Sequence, residues 1–232
     1  MGDVSRPPGR IGIVVGLPQE AAILKGVLGA AMPPVACAGA SPTGATRAAA
    51  EIASGAAALL SFGFAGGIDP VLRPGDVIVG AGVVGPDGTM HATDDALSRH
   101  LCAALDALGY DWSAGLVAGV DQVLATVAAK QALAARTRAV IVDMESRAVA
   151  QTGLPFVILR VVVDPAERPI PSSVLTALRS SGRVNPLALA GGLLRRPSEI
   201  SALRALARDN RVARASLRRA ALALRRALGV VH

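Results

Sequence analysis

Short apolar runs rich in β-branched residues alternate with stretches of helical periodicity through the first three quarters of the chain. The short runs predict strands at 10–15, 34–38, 58–63, 76–84, 116–120, 139–142 and 156–163. The stretches between them predict a helix that begins at Pro18 and helices at 45–54, 94–108, 128–136 and 144–151. This alternation is typical of an α/β fold in which helices cover both faces of a central, mostly parallel sheet.

The last quarter of the chain has a different pattern, in which aliphatic residues recur at helical spacing among many arginines. The apolar stripe that this spacing predicts consists of Leu203, Leu206, Val212, Leu217, Leu224 and Leu228. Residues 1–178 carry a net charge of −3 and residues 179–232 carry +10, which together give the +7 of the whole chain. We therefore expect a catalytic or binding domain over 1–178 and a basic amphipathic helical extension over 179–232, packed on that domain or following it.

The composition excludes several classes of protein. With 52% hydrophobic residues among 232, the chain buries a sizeable core and is not disordered. Two cysteines, Cys37 and Cys102, are too few for a disulfide framework and indicate reduced thiols in a cytoplasmic protein. No apolar stretch is long enough to predict a transmembrane helix, and no signal peptide is expected. His91, His100 and His232 lack metal-ligand spacing, so no metal is expected.

Four windows place polar groups just after predicted strands, where open α/β sheets bind ligands. They are GIVVGLPQE (12–20), SFGFAGGIDPVLRPGDVIV (61–79), IVDMESRAVA (141–150) and ILRVVVDPAERPIP (158–171). Glu20 is either a first-turn glutamate favoured by the helix dipole or a site residue. Glu145 either starts a helix or accepts hydrogen bonds from both hydroxyls of a ribose. Asp164 either caps the turn before Pro165 or serves as a general acid whose pKa is raised at an apolar strand end.

Together and in this order, the windows resemble the nucleoside phosphorylase/nucleosidase superfamily over roughly residues 10–178. They are similar to methylthioadenosine/S-adenosylhomocysteine nucleosidases, and more similar to the hopanoid-associated phosphorylase group. The latter similarity rests on GFAGG (63–67), DMES (143–146), RVVVDPAERPIP (160–171) and GRVNPLALAGGLLRRPSEISALRALARD (182–209). The resemblance implies a nucleoside phosphorylase-type three-layer α/β/α fold with a mixed, mostly parallel sheet and a C-terminal helical extension.

The resemblance also implies a role for individual residues. Asp164 matches the aspartate that protonates the departing purine. Glu145 matches the glutamate that holds the ribose hydroxyls and stabilises an oxocarbenium-like transition state. Glu20 matches the glutamate that orients or deprotonates the attacking water. Met144 would pack beneath the sugar, and Arg160 would line the nucleophile side of the site.

Two positions on the substrate side depart from the nucleosidase pattern. Phe64 stands in GFAGG, two residues before Gly66, where nucleosidases have the serine of GSAGG. Val123 stands where they have an aromatic residue that stacks on the base. Base stacking is therefore expected to be weaker or to come from elsewhere. The stretch after the first helix is also shorter, which predicts a more open 5′ side for a bulky substituent.

Water and phosphate are both candidates for the nucleophile. A phosphorylase needs positive charge and backbone donors for its anion, and the loop GASPTGATR leads into a helix N-terminus that offers them. The candidate phosphate-binding residues are Ser41, Thr43, Gly44, Thr46 and Arg47. Glu20 would repel phosphate, which favours water. No cofactor is expected, and inorganic phosphate is the candidate co-substrate.

The reaction that the resemblance implies is removal of adenine from adenosylhopane, a lipid-linked nucleoside, to give ribosylhopane or its phosphorylated form. One alternative is a methylthioadenosine/S-adenosylhomocysteine nucleosidase. The other is a non-catalytic, membrane-associated nucleoside-binding protein, because Phe64 and Val123 depart from the nucleosidase pattern. Relatives suggest a homodimer or a larger homo-oligomer.

Four interpretations compete for the basic extension: a solvated surface helix, a nucleic-acid-binding element, an oligomerisation element and an element that attracts an anionic membrane surface. The scarcity of aromatic residues and of recognition motifs argues against nucleic acid. We favour an anionic membrane surface as the partner of residues 179–232, with GGLL (191–194) beside Arg195 and Arg196 as the docking point. The protein is then expected in the cytoplasm, peripheral to the inner face of the cytoplasmic membrane.

Overall fold

The computed structural model of the chain describes residues 10–39, 41–179 and 181–228. Their strands are β1 (Ile11–Val15), β2 (Val35–Cys37), β3 (Ala58–Gly67), β4 (Val77–Val84), β5 (Met90–Ala92), β6 (Ser113–Gly119), β7 (Ile141–Asp143) and β8 (Phe156–Asp164). Their helices are α1 (Pro18–Leu28), α2 (Pro42–Ala53), α3 (Asp95–Asp106), α4 (Val127–Thr137), α5 (Ser146–Ala150), α6 (Ser172–Ala177), α7 (Pro186–Arg195) and α8 (Ile200–Ala227). Residues 1–9 and His232, which entered the expectations on a signal peptide and on metals, lie outside the described residues.

The strands form one mixed sheet, which is mostly parallel as predicted. At one side, β1 lies between β2 and β3 and is parallel to both. From β3 the pairing continues through β8, β4, β6 and β7, and β7 pairs back onto β3, so that these strands close into a ring. The short strand β5 is antiparallel to β4 at the other side. The closed ring brings the ends of β3, β7 and β8 close together.

The two faces of the strands pack under different helices, because successive side chains of a strand point to opposite faces. Ile13, Leu60 and Phe62 pack into a core that they share with α1, α3 and α8. Val14 and Leu59 point the other way, into a core that they share with α2 and α5. The expected arrangement of helices on both faces of the sheet is therefore confirmed.

β3 is longer than predicted and includes the glycine-rich segment. The expectation of a strand that ends at residue 63 is wrong, because β3 extends to Gly67. Gly66 pairs with Val142 of β7 on one edge and with Asp164 of β8 on the other. Pairing on both edges supplies hydrogen bonds that offset the low strand propensity of glycine, so β3 continues to Gly67.

The segment between β8 and α8 contains helices that the sequence pattern did not predict. α6 has only six residues, and α7 contains Gly191 and Gly192, which weaken a helical pattern. A backbone bridge between Leu178 and Val184 joins the two helices into an α6–α7 hairpin, residues 172–195. Asn185 caps α7 by accepting a hydrogen bond from the N–H group of Leu187 at 3.1 Å.

α8 is a core element of the domain. Its buried face, which contacts β8, α1 and α3, consists of Asp209, Ala213, Leu217, Ala220, Ala221, Ala223 and Leu224. Leu217 and Leu224 were predicted on this face, but Val212 is 46% exposed. The stripe was wrong at Val212 because alanines, which carry a weak hydrophobic signal, form much of the contact with the sheet. The arginines of α8 lie mostly on its exposed side.

Candidate active site

A cavity of about 300 Å³ opens near the ends of β1, β7 and β8. Its lining includes the sequence-predicted residues Glu20, Phe64, Gly66, Val123, Met144, Glu145 and Asp164. Small-molecule sites have volumes from roughly 300 to 1,000 Å³, so the cavity has the size of such a site. The structure therefore brings together three carboxylates that come from separate windows of the sequence.

Glu20 lies in the first turn of α1 and is buried rather than solvated. Its Oε2 accepts hydrogen bonds from the backbone N–H groups of Gly16 and Leu17 at 2.8 and 2.7 Å, and its Oε1 accepts one from Phe64 at 2.7 Å. The side chain therefore caps α1 and ties it to β3. Burial raises the pKa of Glu20, while Arg160 and the three N–H groups oppose the rise. Each carboxylate oxygen has two lone pairs, so Glu20 keeps acceptor capacity for a ligand.

Two glycines allow the carboxylates to approach the backbone closely. A Cβ atom on Gly16 would lie 2.6 Å from Oε1 of Glu145, and a Cβ atom on Gly63 would overlap the carboxylate of Glu20. A side chain at either position would therefore displace a carboxylate of the site.

Arg160 lies on β8 behind the cavity and has no exposed surface. Its Nη2 is 3.2 Å from Glu145 Oε2, and its Nε is 2.7 Å from Asp143 Oδ2. Nη2 also donates to Ser61 Oγ at 2.7 Å, and Nη1 donates to the carbonyl of Phe64 at 3.3 Å. The expectation that Arg160 lines the nucleophile side is corrected, because these partners enclose the guanidinium. A buried charge needs such partners, and Arg160 acts on the cavity through partners that line it, among them Asp143 and Glu145.

Asp143 and Ser146 complete the buried network around Arg160. Asp143 Oδ1 accepts a hydrogen bond from the backbone N–H of Ser146 at 3.1 Å, and the Ser146 hydroxyl donates to Asp143 Oδ2. The hydroxyls of Ser146 and Ser61 are 3.0 Å apart. These contacts fix the junction between β7 and α5, which carries Glu145.

Carboxylates outnumber guanidinium groups in this network. Burial raises the pKa of Glu145 to about 8; Arg160 opposes the rise, whereas Asp143 and Glu20 add to it. This shift favours the protonated form of Glu145 at neutral pH. The sequence offered two positions for Glu145, at the start of a helix or in a binding site. The structure shows both, because Glu145 immediately precedes α5 and also lines the cavity.

Asp164 ends β8 and forms an ion pair with Lys130 of α4, a residue that the sequence analysis did not identify. Nζ of Lys130 is 2.5 Å from Asp164 Oδ2, and both residues line the cavity. Burial raises the pKa of Asp164, and Lys130 opposes the rise. Among the described residues, no backbone N–H group of the turn at Pro165 bonds to this carboxylate, so Asp164 does not cap that turn.

Much of the remaining cavity lining is aliphatic. Val174, Leu175, Leu178 and Val184 come from the α6–α7 hairpin, and Leu206 comes from α8. No aromatic side chain from these elements reaches the cavity. The apolar wall therefore suits a hydrophobic substituent on a ligand.

Val123 and Asn210 are the other features of the lining that bear on a ligand. Val123 is 39% exposed and offers an aliphatic surface where an aromatic ring was noted as missing. Asn210 belongs to α8, and its Oδ1 is buried with no hydrogen-bond partner in the described structure. An amide in this state is available to a polar group of a ligand.

The phosphate candidates lie elsewhere. Ser41, Thr43, Gly44 and Arg47 line a separate, more open cavity of about 640 Å³ with Cys37. Ser41 Oγ caps α2 by accepting a hydrogen bond from Gly44 N–H at 3.2 Å. The two cavities are neighbours, because the Cys37 thiol donates to the carbonyl of Gly16 at 3.6 Å. The structure therefore groups four of the five phosphate candidates, without Thr46, and does not place them with the three carboxylates.

Sequence reasoning did not assign Lys130, Leu206 or Asn210 to the site, because they come from α4 and α8, outside the four windows. The signal for Lys130 was its place in the alanine-rich helix 128–136, where one of the two lysines of the chain stands among apolar residues. Across the described ranges, His, Cys, Asp and Glu side chains form no group of three or more that is suited to a metal ion. None of the helices in the described part of the chain combines the length and the apolar character that a membrane span requires.

Comparison with known proteins gives a family and a fold. The phosphorylase superfamily matches residues 23–181 of the sequence. The 5′-methylthioadenosine/S-adenosylhomocysteine nucleosidase of Neisseria meningitidis, solved with methylthio-immucillin-A, has a TM-score of 0.66 and 19% identity over 92% of this chain and 97% of that chain. A mutant futalosine hydrolase of Helicobacter pylori has a TM-score of 0.65 and 19% identity over 80% and 99% of the two chains.

A mutant Helicobacter pylori nucleosidase with 5′-methylthioadenosine in its active site has a TM-score of 0.65 and 19% identity, over 82% of this chain and 100% of that chain. No curated protein matches the sequence significantly. At 19% identity, the similarity to the solved structures establishes the fold, and it confirms the expected nucleoside phosphorylase-type architecture.

Proposed function

The chain belongs to the phosphorylase superfamily, and on this premise we propose that it cleaves the N-glycosidic bond of adenosylhopane, releasing adenine and leaving ribosylhopane. The observation that carries the proposal is the composition of one cavity, in which Asp164, Glu145 and Glu20 meet an aliphatic wall. Cleavage of a glycosidic bond requires a proton donor and a carboxylate that stabilises positive charge on the sugar. The aliphatic wall suits a nucleoside that carries a lipid.

In the proposed reaction, Asp164 donates a proton to the five-membered ring of adenine as the bond to ribose breaks. Positive charge develops on the sugar, and the carboxylate of Glu145 stabilises it while accepting hydrogen bonds from the ribose hydroxyls. Water bound at Glu20 attacks the anomeric carbon and gives a proton to the carboxylate of Glu20. Adenine leaves with the proton of Asp164, which becomes a carboxylate.

The protonation of Glu145 supports this sequence of events. Its pKa of about 8 arises from burial, with a further contribution from Asp143 and Glu20. Before the bond breaks, Glu145 releases its proton to the solvent, and the cationic sugar then favours the ionised form, because an opposite charge lowers the pKa of a carboxyl group. The site would then gain this charge interaction mainly in the transition state, where stabilisation increases the rate.

Water is the proposed nucleophile. Asp143 and Glu20 lie near Arg160 and would repel an oxyanion, and Arg160 itself has no exposed surface. Product analysis with adenosylhopane, with and without phosphate in the buffer, tests this step. Hydrolysis gives adenine and ribosylhopane at the same rate in both buffers. Adenine release that requires phosphate and yields phosphoribosylhopane would overturn the assignment of water.

The Asp164→Asn substitution tests the proposed acid. Loss of the proton donor is expected to lower kcat by roughly 100-fold or more, while circular dichroism shows a folded protein. Turnover at the wild-type rate would overturn the role of Asp164. Adenosine binding without turnover by the wild-type protein, unchanged by the substitution, would instead support the non-catalytic alternative.

A pair of substitutions in the aliphatic wall tests the lipid-linked substrate. Leu175→Asn combined with Leu178→Asn is expected to raise the KM for adenosylhopane about tenfold or more and to leave the KM for methylthioadenosine nearly unchanged. Val71→Asn, on an exposed side chain outside the cavity, is the matched control. Adenine release from methylthioadenosine and none from adenosylhopane would favour the nucleosidase alternative. A protein of the same fold, the mutant Helicobacter pylori nucleosidase, has 5′-methylthioadenosine in its active site.

We also propose that the protein contacts an anionic membrane surface. Among the described residues of 179–232, only one part has the strongly exposed apolar side chains that such a contact requires. The apolar face of α8 is unsuitable, because Ala213, Leu217 and Leu224 are buried in the core. In the α6–α7 hairpin, by contrast, Leu187 and Leu194 are 82% and 85% exposed.

The hairpin also carries positive charge and continues into the cavity. Arg179, Arg183 and Arg195 are exposed, whereas Leu178 and Val184 line the aliphatic wall. A lipid-linked substrate would thus pass from the bilayer along the hairpin to the carboxylates. Exposed leucines combined with arginines are typical of elements that lie on anionic membranes.

Sedimentation with vesicles tests this contact on the full chain. We expect binding to phosphatidylglycerol vesicles and not to phosphatidylcholine vesicles, weakened by Leu187→Ser with Leu194→Ser and by Arg183→Gln with Arg195→Gln. Leu222→Ser, at an exposed leucine of α8, is the control and should bind as the wild type does. Equal binding by all variants, or no binding by the wild type, would contradict the proposal.

A further inference from the structure

Lys130 is buried beside the cavity and has no part in the reaction described above. Its side chain is 1% exposed. Its ammonium group meets three acceptors: Asp164 Oδ2 at 2.5 Å, the carbonyl of Pro165 at 2.7 Å and the carbonyl of Arg168 at 3.2 Å. Burial of an ammonium group is unfavourable unless such partners compensate for lost hydration. All three partners belong to the segment that begins with the proposed acid.

We infer that Lys130 is a positioning residue for the proposed acid: it orients the carboxyl group of Asp164 toward the leaving base and sets the pH range over which that group keeps its proton. The inference rests on the proposed function, in which Asp164 is the proton donor.

The geometry supports the orienting role. Lys130 occupies Oδ2 of Asp164, whereas Oδ1 has no protein hydrogen-bond partner in the described part of the chain. A carboxylic acid that protonates a base must keep one oxygen free for it. The bonds from Lys130 to Pro165 and Arg168 also hold the backbone that follows Asp164 against α4. The lysine therefore fixes both the direction of the carboxyl group and the position of its main chain.

The charges around Asp164 decide the sign of the second effect. Burial raises the pKa of Asp164, Lys130 and Arg168 lower it, and Asp209 of α8 raises it. Arg168 and Asp209 form their own ion pair at 2.6 Å, which leaves Lys130 as the cation in direct contact with the acid. The carboxyl groups of Glu20, Asp143 and Glu145 also line the cavity. Loss of the Lys130 charge would leave the effect of burial less opposed, so Asp164 would keep its proton to higher pH.

The dependence of kcat/KM on pH tests the inference. The activity of the wild-type protein is expected to fall at high pH as Asp164 loses its proton. Lys130→Met should move this fall upward by about one pH unit or more and lower the maximal kcat about tenfold, because the carboxyl group is no longer oriented. Lys130→Arg keeps the positive charge, so its kcat/KM should fall at the same pH as that of the wild type. Lys25→Met, at the exposed second lysine of the chain, should match the wild type.

Nitrogen-15 labelling of lysine gives a second readout, which observes the side chain of Lys130 directly in the wild-type protein. With only two lysines in the chain, the spectrum contains two side-chain signals. The Lys130 signal of the wild-type protein should titrate with the same midpoint as the fall in kcat/KM, and Asp164→Asn should shift this signal but not that of Lys25. Different midpoints, or an unmoved pH profile in folded Lys130→Met, would overturn the inference.

The two proposals fail in different ways. If Asp164→Asn keeps wild-type turnover, the proposed acid is wrong and the role of Lys130 fails with it. If Asp164→Asn is inactive while the pH profile of Lys130→Met is that of the wild type, only the role of Lys130 fails.

Discussion

Oε2 of Glu145 lies 3.2 Å from Nη2 of Arg160, and both side chains are buried. The same guanidinium also pairs with Asp143 at 2.7 Å and is close to the charge of Glu20. One cation therefore serves several carboxyl groups, so Glu145 is only partly compensated and retains a proton to unusually high pH. Burial raises the pKa of Glu145 to about 8, because the shared cation opposes the rise only in part.

The stability of the protein is expected to fall as the pH rises from about 4.5 to about 8. Glu145 loses its proton near pH 4.5 in the unfolded chain but near pH 8 in the folded protein. The folded state binds more protons between these values, so the contribution of Glu145 to stability is complete below pH 4.5 and is lost as the pH rises through 8. Urea unfolding at several pH values measures this dependence. The free energy of unfolding should decline less steeply with pH in Glu145→Gln than in the wild type. Glu51→Gln, on the exposed side of α2, is the control; equal slopes for the wild type and Glu145→Gln would contradict the prediction.

Arg160→Met is expected to destabilise the fold strongly. Its removal leaves Asp143 and Glu145 buried without their cation, and loss of one partner of a buried pair costs about 3–5 kcal/mol. Arg147→Met removes the partly exposed ion pair with Asp121 and should cost no more than about 1 kcal/mol. Denaturant unfolding of the two variants measures the difference. Similar losses would mean that Arg160 is not the centre of the buried network.

Gly16→Ala is expected to damage the site more than the fold. The new Cβ atom would meet the carboxylate of Glu145, so kcat/KM for the nucleoside should fall about tenfold or more. Gly26→Ala, at a position of α1 with no neighbouring atom within 4 Å, should leave activity unchanged and stabilise the protein by about 0.4–1 kcal/mol. Wild-type activity in Gly16→Ala would show that the close approach of Glu145 to this glycine has no catalytic importance.

Leu217→Ala tests whether α8 is a core element or an appendage. Leu217 is fully buried between α8 and the sheet, so truncation should reduce the free energy of unfolding by about 2–5 kcal/mol. Leu222→Ala, at a leucine of the same helix that is 41% exposed, should change it by no more than about 0.5 kcal/mol. If both variants unfold at the same denaturant concentration as the wild type, α8 contributes little to the core.

Local pattern was enough to predict the α/β class and most element positions. Ile11–Val15 and Phe156–Asp164 are apolar runs whose strand character does not depend on distant partners. The same pattern placed Glu20, Glu145 and Asp164 just after strands, and the ends of strands in such folds converge on one edge. The sequence motifs therefore predicted three carboxylates that the structure brings into one cavity.

Other features depended on residues that are distant along the chain. The strand β3 continues through Gly66 because β7 and β8 pair with it, and Arg160 is enclosed because Asp143 and Ser61 arrive from other strands. Lys130 becomes significant only when α4 packs beside the end of β8.

The amino-acid sequence by itself determined most of the strands and helices and the acids that lie near the ends of three strands, because periodicity and strand ends are local properties of the chain. Tertiary structure alone decided how those acids are charged and held. Burial and the approach of Arg160 and Lys130 fix their protonation and direction, and both depend on contacts between segments that the sequence keeps apart.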